Sequence, residues 1–275
     1  MEPEDTRVPD KKRKRRCLLL LCASAVLLII VLVVVLGVTL NQERGQFESI
    51  FISRCEKFKE YDCQNVWSVF QEAYINKDPC KVPTEAYDPL IAAAPFKPAC
   101  NRMMFWSKTK DVVHDFTEKT DCFITLEDTL LGSVLDGLTW CGKEGSSATF
   151  TTDCPGWTQC DNNPVRSFWN RASAGFADVA CGDVTAMMNG SLITPFSPTS
   201  IFASIEVKRF NSSRVRNLKV VLVMQKNAVA NCTNMSLKNL EEELDQGINY
   251  DCKEVPESQI KECSVHPEKP CGSCW

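Results

Sequence analysis

The pattern of apolar and polar positions separates one long apolar run from a mixed remainder. Residues 17–40 hold no charged side chain and are dominated by Leu, Val and Ile. A helix rises about 1.5 Å per residue, so a run of this length exceeds the bilayer core of about 30 Å. A cleaved signal peptide has a shorter apolar core and a small-residue cleavage site, and this run has neither. The run therefore predicts a single membrane-spanning helix.

Charges beside this run predict its orientation. Residues 11–16 are all Lys or Arg, and positively charged flanks stay in the cytosol. The sequence thus predicts a cytosolic basic tail at 1–16 and a type II plasma-membrane protein whose residues 41–275 are extracellular. Four acidic residues in the tail dilute the bias, which leaves a minor inverted population as an alternative. Cys17 and Cys22 lie at the cytosolic edge, where palmitoylation and free thiols are both compatible with the pattern.

The first part of the ectodomain is predicted to be mainly helical. Apolar residues recur at helical spacing over Gln46–Gln71, around a small Cys55–Cys63 loop, and again over Pro164–Ala180. Between these helices, Asp78–Pro98 carries five prolines and Glu144–Asn163 is rich in turn-forming residues, so long regular structure is not expected there.

After Cys181 the pattern changes to strands. Ser200–Phe210 alternates apolar and polar side chains with period two, which predicts a half-buried strand that carries Glu206. Leu218–Met224 is a continuous apolar run, typical of a strand buried on both faces. Leu237–Leu244 is predicted to be a short acidic helix, so the C-terminal region is of the α/β kind.

Composition indicates an extracellular, disulfide-bonded protein. The 275 residues are 44% hydrophobic and 24% charged, which is ordinary for a globular chain and excludes a disordered one. Sixteen cysteines with one C-x-x-C, Cys271–Cys274, and no Cys/His quartet favour disulfides over a metal site. Four N-glycosylation motifs indicate the same compartment, at Asn189, Asn211, Asn231 and Asn234.

The net charge excludes one class of partner. Residues 1–40 hold seven Lys or Arg against four Asp or Glu, so the other 235 residues carry 24 against 31, a net charge of −7. An acidic ectodomain without a basic groove is a poor nucleic-acid binder.

A segment rich in carboxylates among leucines, Thr125–Gly142, is the first candidate site, and we call it the acidic segment. Glu127 and Asp136 are nine residues apart and point to opposite faces of an uninterrupted helix, so they reach one pocket only if the chain bends. Gly132 is the predicted bend, and Gly137 is a second break point. The alternative is that Thr125 begins a helix in a Thr-x-x-Asp capping pattern and that the acids are structural.

A second candidate is the segment Arg102–Lys110, where an aromatic residue precedes Ser and two lysines. Such a segment suits a planar ring with phosphates, although Trp106 on its own is more often a core residue. His114 has no partner in the sequence and is interpreted as structural.

Six short motifs, taken in order, resemble the ADP-ribosyl cyclase/cyclic ADP-ribose hydrolase family. They are Trp106–Ser107, Thr125–Gly132, Leu138–Gly142, Asn162–Val165 with Phe168–Trp169, Met188–Ser191 and Ser204–Glu206. The resemblance covers essentially the whole ectodomain. The tail and anchor are similar to the type II, leukocyte-surface NAD glycohydrolase branch, since Pro270–Trp275 lacks the apolar tail that a GPI signal needs.

The resemblance implies a disulfide-rich ectodomain of the α/β (α+β) class with two lobes and the site between them. A helical lobe would comprise about 45–99 and 125–180, and an α/β lobe with a short parallel sheet about 100–124 and 181–275. The implied pairs are Cys55–Cys63, Cys80–Cys160, Cys100–Cys181, Cys141–Cys154 and Cys232–Cys252, with Cys263 joined to Cys271 or Cys274. Cys122 and the remaining cysteine then pair together, bond another chain or stay free.

The implied activity is that of an ectoenzyme that cleaves the nicotinamide–ribose bond of NAD to ADP-ribose and cyclic ADP-ribose. Hydrolysis of cyclic ADP-ribose, base exchange on NADP and a supply of calcium-mobilising messengers are also implied. By motif position, Glu206 is the carboxylate that faces the ribose as positive charge builds there. The resemblance implies that Trp106 and Trp169 stack on substrate rings. It also implies that Glu127 sets the balance between hydrolysis and cyclisation, with Asp136 beside it in the pocket.

The resemblance also places residues around the substrate. Ser107, Lys108, Ser200 and Phe202 fall where the family grips the diphosphate, Lys110 where cyclic ADP-ribose is held, and Asp128 within the acidic motif of the substrate site. Ile201 replaces a usual threonine, and Lys108 replaces an arginine with its bidentate geometry. No cofactor and no metal is implied, because NAD and NADP are substrates.

Two other functions remain as alternatives. A surface receptor or adhesion protein on the same scaffold would show weak or no turnover, and Ile201 keeps that hypothesis open. A retaining glycosidase for sugars is less well supported, because two tryptophans and lysines suit a nucleotide better. A homodimer is left open.

Overall fold

A computed structural model describes residues 28–32, 45–97, 99–267 and 271–275. Within these ranges, no helix is both long and apolar enough to cross a membrane. The predicted tail at 1–16 lies outside the described residues. So does the predicted anchor at 17–40, apart from the helical residues 28–32, and both stay predictions.

The described chain is a mixed α/β protein with a short parallel sheet. Its helices are α1 (45–55), α2 (Cys63–Glu72), α3 (Asp88–Ala93), α4 (Lys110–Lys119), α5 (Leu130–Leu135), α6 (Pro164–Asp178), α7 (Met235–Glu243) and α8 (Glu257–Ser264). The strands are β1 (Met104–Ser107), β2 (Cys141–Lys143), β3 (Ser146–Phe150), β4 (Gly182–Asn189), β5 (Val215–Met224) and β6 (Asn249–Pro256). Strands β1, β4, β5 and β6 form a four-stranded parallel sheet in the order β1-β4-β5-β6, and β2 pairs with β3 in an antiparallel hairpin.

Both faces of the parallel sheet are buried, and the alternation of side chains along its strands decides which core each residue joins. On β5, Val220 and Leu222 belong to the larger core with α1, α2 and α6. Val221 and Val223 point to a second core under α4 and α8. This is why Leu218–Met224 is continuously apolar, and the predicted strand there is confirmed.

Several helix predictions are also confirmed, with identifiable end signals. Helices α1 and α2 flank the Cys55–Cys63 disulfide, as the pattern over Gln46–Gln71 predicts. Helix α6 begins at Pro164 because the Asn163 side chain accepts the N–H of Arg166 and proline suits the first turn. Helix α7 matches the predicted acidic helix.

The predicted strand at Ser200–Phe210 is wrong. Residues Phe202–Glu206 form a π-helical turn that runs into a 3-10 turn at Val207–Arg209. The buried side chains of this segment are spaced by four, at Phe202, Glu206 and Phe210 and at Ala203 and Val207. That is the period of a helix, and it outweighs the apparent alternation.

Seven disulfides connect the elements among the described residues. The five implied pairs are present, and Cys263 bonds Cys274. Cys122 bonds Cys271, which resolves the alternatives left by the sequence. The division into two lobes at the stated boundaries stays a prediction.

The acidic segment bends, but not at Gly132. A 3-10 turn at Leu126–Asp128 ends in an extended residue, Thr129, whose ψ is 164°, and α5 then begins. Gly132 instead permits a close approach between α5 and that turn. A Cβ atom on Gly132 would lie 2.0 Å from the Leu126 carbonyl oxygen and 2.6 Å from the Glu127 Cα.

Replacing Gly132 with alanine should therefore destabilise the ectodomain and displace Glu127. Overpacking of a buried site costs about 1–3 kcal/mol, and 1 kcal/mol lowers the Tm of a domain of this size by about 2–4 °C. Thermal denaturation of Gly132→Ala measures the effect. The matched control is Gly45→Ala, where an added Cβ meets nothing within 4 Å. Equal Tm values for the two variants would contradict the close approach.

Candidate active site

A cleft of about 560 Å³ lies at the carboxyl end of β1. Parallel sheets commonly bind ligands at this end, because the loops that follow the strands converge there. Most of the lining comes from four segments: the end of β1, the acidic segment, one face of α6, and the residues in and before the turn at Phe202–Glu206. Lys110 and Trp157 also line the cleft.

The cleft gathers nearly every residue that the sequence places in the site. These are Glu206, Glu127, Asp136, Trp169, Trp106, Ser107, Lys108, Lys110, Ser200 and Phe202. Asp128 is the exception. Its carboxylate accepts the N–H and hydroxyl of Thr125 at 2.8 and 2.9 Å and completes a capping box. The capping box that the sequence offered is thus present at Asp128, and its contact with substrate stays a prediction.

The end of β1 presents an indole and a lysine to the cleft. Trp106 Nε1 donates to Glu127 Oε2 at 3.2 Å, which fixes the acid relative to the ring. Lys108 follows in the left-handed region, with φ of 59°, so the chain turns sharply as the strand ends. Asn189 Nδ2 donates to the Lys108 carbonyl oxygen at 3.0 Å and supports that turn.

The far end of the acidic segment is held by two cations. Lys110 Nζ lies 2.7 Å from Asp136 Oδ1, with both side chains partly exposed. Arg54, on α1, donates to the Asp136 carbonyl oxygen at 2.7 Å and to the carbonyl oxygens of Ser133 and Val134. A guanidinium at this position satisfies the open carbonyls at the end of α5 and suits the negative pole of the helix.

One face of α6 forms the opposite wall. Val165, Trp169, Ser173 and Phe176 line the cleft at helical spacing. The Trp169 ring packs against Phe168 at 5.1 Å between centroids, which holds the indole at a fixed angle. Flat aromatic surface therefore faces the cleft from both α6 and β1.

Glu206 is buried, with 7% of its surface exposed. Burial, opposed by a hydrogen bond with Ser173 and reinforced by the nearby charge of Glu127, raises the pKa of Glu206 to about 8. The carboxyl group is therefore mostly protonated near neutral pH, and a cation beside it would favour the ionised form.

Comparison with known proteins decides the family. A family model described as ADP-ribosyl cyclase matches residues 44–272. The rat protein named ADP-ribosyl cyclase/cyclic ADP-ribose hydrolase 1 is 34% identical over 237 residues, 82% of this chain and 78% of that protein. The chain belongs to the ADP-ribosyl cyclase family.

Solved structures agree with this assignment to the ADP-ribosyl cyclase family. Porcine CD38 in complex with a covalent intermediate, ribo-F-ribose-5′-phosphate, has a TM-score of 0.72 and 35% identity, over 76% of this chain and 96% of that chain. Aplysia cyclase complexed with substrate NGD and product cGDPR has a TM-score of 0.72 and 29% identity, over 83% and 96% of the two chains. The predicted resemblance is confirmed, and so is the prediction that the chain is an enzyme.

Three cleft features of this ADP-ribosyl cyclase were missed by sequence reasoning. Ser173 contacts Glu206, and helical spacing from Trp169 could have found it. Trp157, in the disulfide-pinned loop, lies at the rim with 42% of its surface exposed. His114 Nε2 lies 3.8 Å from Glu127 Oε2 beside the cleft, and the interpretation of His114 as structural stays a prediction. No local pattern indicates that contact.

Metal binding is not indicated by the part of this ADP-ribosyl cyclase that the structure describes. No cluster of three or more His, Cys, Asp or Glu side chains suited to a metal ion is found there. The absence of a cofactor stays a prediction.

The raised pKa of Glu206 predicts a pH-dependent stability for this ADP-ribosyl cyclase. Below about pH 4.3, where an unfolded Glu titrates, both states are protonated. Between there and about pH 8 the unfolded state releases its proton and the folded state keeps it, so stability falls as pH rises, by up to about 1.4 kcal/mol per unit. Glu206→Gln cannot titrate, and its Tm advantage over the wild type should grow from pH 5 to 8.

Thermal denaturation of ligand-free protein across that pH range provides the test. Glu118→Gln, which removes an exposed carboxylate on α4, is the matched control and should track the wild type. A constant Tm difference between Glu206→Gln and the wild type would show that the carboxyl group is not desolvated.

Proposed function

We propose that the chain cleaves the nicotinamide–ribose bond of NAD and transfers the ADP-ribosyl group to water or to its own adenine. The observation that carries this proposal is the buried carboxyl group of Glu206 in one cleft with the indoles of Trp106 and Trp169. Family membership supports it, as does the Aplysia cyclase structure with a substrate and a cyclic product.

Bond cleavage needs stabilisation of positive charge more than it needs a proton. The nicotinamide ring of NAD is cationic and departs neutral, so no general acid has to protonate it. Positive charge then builds on the ribose ring, and a carboxylate beside the anomeric carbon stabilises it. The cationic ring also favours ionisation of Glu206, because a nearby positive charge lowers the raised pKa of its carboxyl group.

A covalent intermediate is the form of stabilisation that we favour. The Glu206 carboxylate bonds to the anomeric carbon while the nicotinamide nitrogen leaves with the electron pair of the broken bond. Water or the adenine ring then attacks the same carbon and releases the carboxylate. The porcine CD38 structure with a covalent intermediate supports this route.

The ratio of ADP-ribose to cyclic ADP-ribose depends on how well the cleft excludes water. Glu127 is well placed to influence it, because its side chain is only 10% exposed and is fixed by the Trp106 indole. Cyclic ADP-ribose would reopen by the reverse of cyclisation, and Lys110, which lines the cleft and pairs with Asp136, would hold its phosphates.

The diphosphate would lie against the end of β1 and the turn that follows Ser200. Lys108 supplies charge there, and the first N–H groups of a helical turn attract anions. Ile201 lines this side of the cleft and offers no hydroxyl.

The cellular context is part of the proposal. The apolar run at 17–40 and the seven described disulfides support a type II plasma-membrane protein with an extracellular site. Glycosylation at the four motifs, base exchange on NADP and the supply of calcium-mobilising messengers extend the same proposal.

Glu206→Gln should lower NAD turnover by about 100–1,000-fold, since electrostatic groups at a developing charge contribute about 3–4 kcal/mol. The measurement is release of fluorophore from an NAD analogue by the purified ectodomain. Glu118→Gln, on the exposed face of α4, should keep wild-type activity. A well-folded wild type that releases no fluorophore would favour the receptor hypothesis instead.

Glu127→Ala should raise the share of cyclic product by about fivefold or more, a change of about 1 kcal/mol in the competition between adenine and water. Chromatography of the products formed from NAD gives the ratio. Asp128→Asn is the matched control, because Asp128 is adjacent in sequence and caps the turn outside the cleft. Unchanged ratios for Glu127→Ala would remove that acid from its assigned role.

A further inference from the structure

One face of α4 approaches the three carboxylates of the acidic segment, Glu127, Asp128 and Asp136. Lys110 pairs with Asp136 at 2.7 Å, and Thr117 donates to Asp128 at 3.5 Å. His114 lies between them on the same face, at positions i+4 and i−3, and approaches Glu127. The helix thus presents one polar partner per turn, and the middle partner is His114.

The contact between His114 and Glu127 is incomplete as it stands. His114 Nε2 lies 3.8 Å from Glu127 Oε2, which is too long for a hydrogen bond, and this buried nitrogen has no other hydrogen-bond partner among the described residues. The two side chains are 18% and 10% exposed, so little solvent screens them. The Trp106 ring stands edge-on to the imidazole at 5.9 Å and donates its N–H to the same oxygen.

We propose that His114 is a positioning residue for Glu127 and that its protonation shifts the partition of products toward cyclisation. The proposal rests on the proposed function of Glu127. A protonated imidazole donates to Oε2, neutralises the acid and draws it toward α4, which resembles removal of the carboxylate. A neutral imidazole leaves Glu127 held by Trp106 alone and free to act in the cleft.

Other charged groups lie near this pair, and their effects on the product ratio must be distinguished from that of His114. Glu127 is coupled electrostatically to Glu206 across the cleft, and Lys110 with Asp136 lies one turn away on α4. Asp115 and Lys119 pair with each other on the neighbouring face of the helix. Both products arise from one ribosyl intermediate, so a pH effect on cleavage alone cancels in the product ratio.

The test is the ratio of cyclic ADP-ribose to ADP-ribose from NAD between pH 5.5 and 8. In the wild type the cyclic share should rise about two- to fivefold as pH falls, as expected for a weakly screened ion pair. His114→Gln should give a flat ratio near the wild-type value at pH 8. His114→Lys keeps a permanent charge and should give the low-pH ratio throughout. His266→Gln, which removes the other of the two histidines, should retain the wild-type slope.

A second measurement does not depend on turnover. The chain has six tryptophans, and the indole N–H resonance of Trp106, assigned with Trp106→Phe, reports the hydrogen bond to Glu127. It should move with pH over the same range in the wild type and not in His114→Gln. If the product ratio or the Trp106 indole resonance of His114→Gln still changes with pH as in the wild type, the inference is overturned. Absence of NAD cleavage in a protein whose indole shift behaves as expected overturns only the proposed function.

Discussion

The arrangement of the site depends on contacts between α4 and the three acids of the segment it faces. Residues 110, 114 and 117 occupy one face of the helix and meet Asp136, Glu127 and Asp128 respectively. Because α4 is itself anchored by Val113 and Phe116 in the core under the sheet, this face cannot rotate away. The acids are therefore positioned by a helix that follows β1 directly. Their positions are fixed relative to the Trp106 indole on β1.

On the opposite side of the cleft, burial of the Glu206 carboxyl group reduces the stability of the protein. Glu206 has 7% exposure and a pKa of about 8. It therefore lowers the free energy of unfolding at neutral pH, relative to a variant with an uncharged side chain at this position. The same desolvation strengthens its interaction with a cation that enters the cleft, because little water competes. Stability and reactivity therefore oppose each other at this residue, and the disulfides and the double-sided sheet supply the stability that the site gives up.

Elements with a single strong pattern were predictable from the sequence. Helix α6 has a capping asparagine followed by proline, and β5 has an unbroken apolar run, so local signals and tertiary context agree there. The prediction of a strand at Ser200–Phe210 was wrong because its residues fit both the period of a strand and that of a helix. Packing against the cleft selects the helical period. Strand β1 is four residues long, and the polar exposed residues of β6 follow no clear alternation, so neither could be found by pattern alone.

Site residues were predictable by motif, whereas the contacts that position them were not. The acids and indoles stand in the short motifs that carry the resemblance, but Arg54 holds the end of α5 from 82 residues away along the chain. His114 likewise looks solitary until the turn at Leu126–Asp128 folds against α4. Short motifs thus identify the residues that line the cleft, and their geometry comes from long-range contacts that a single sequence does not encode in any short pattern. For this reason a substitution at Arg54, outside every motif, bears on Asp136 as directly as a change within the acidic segment itself.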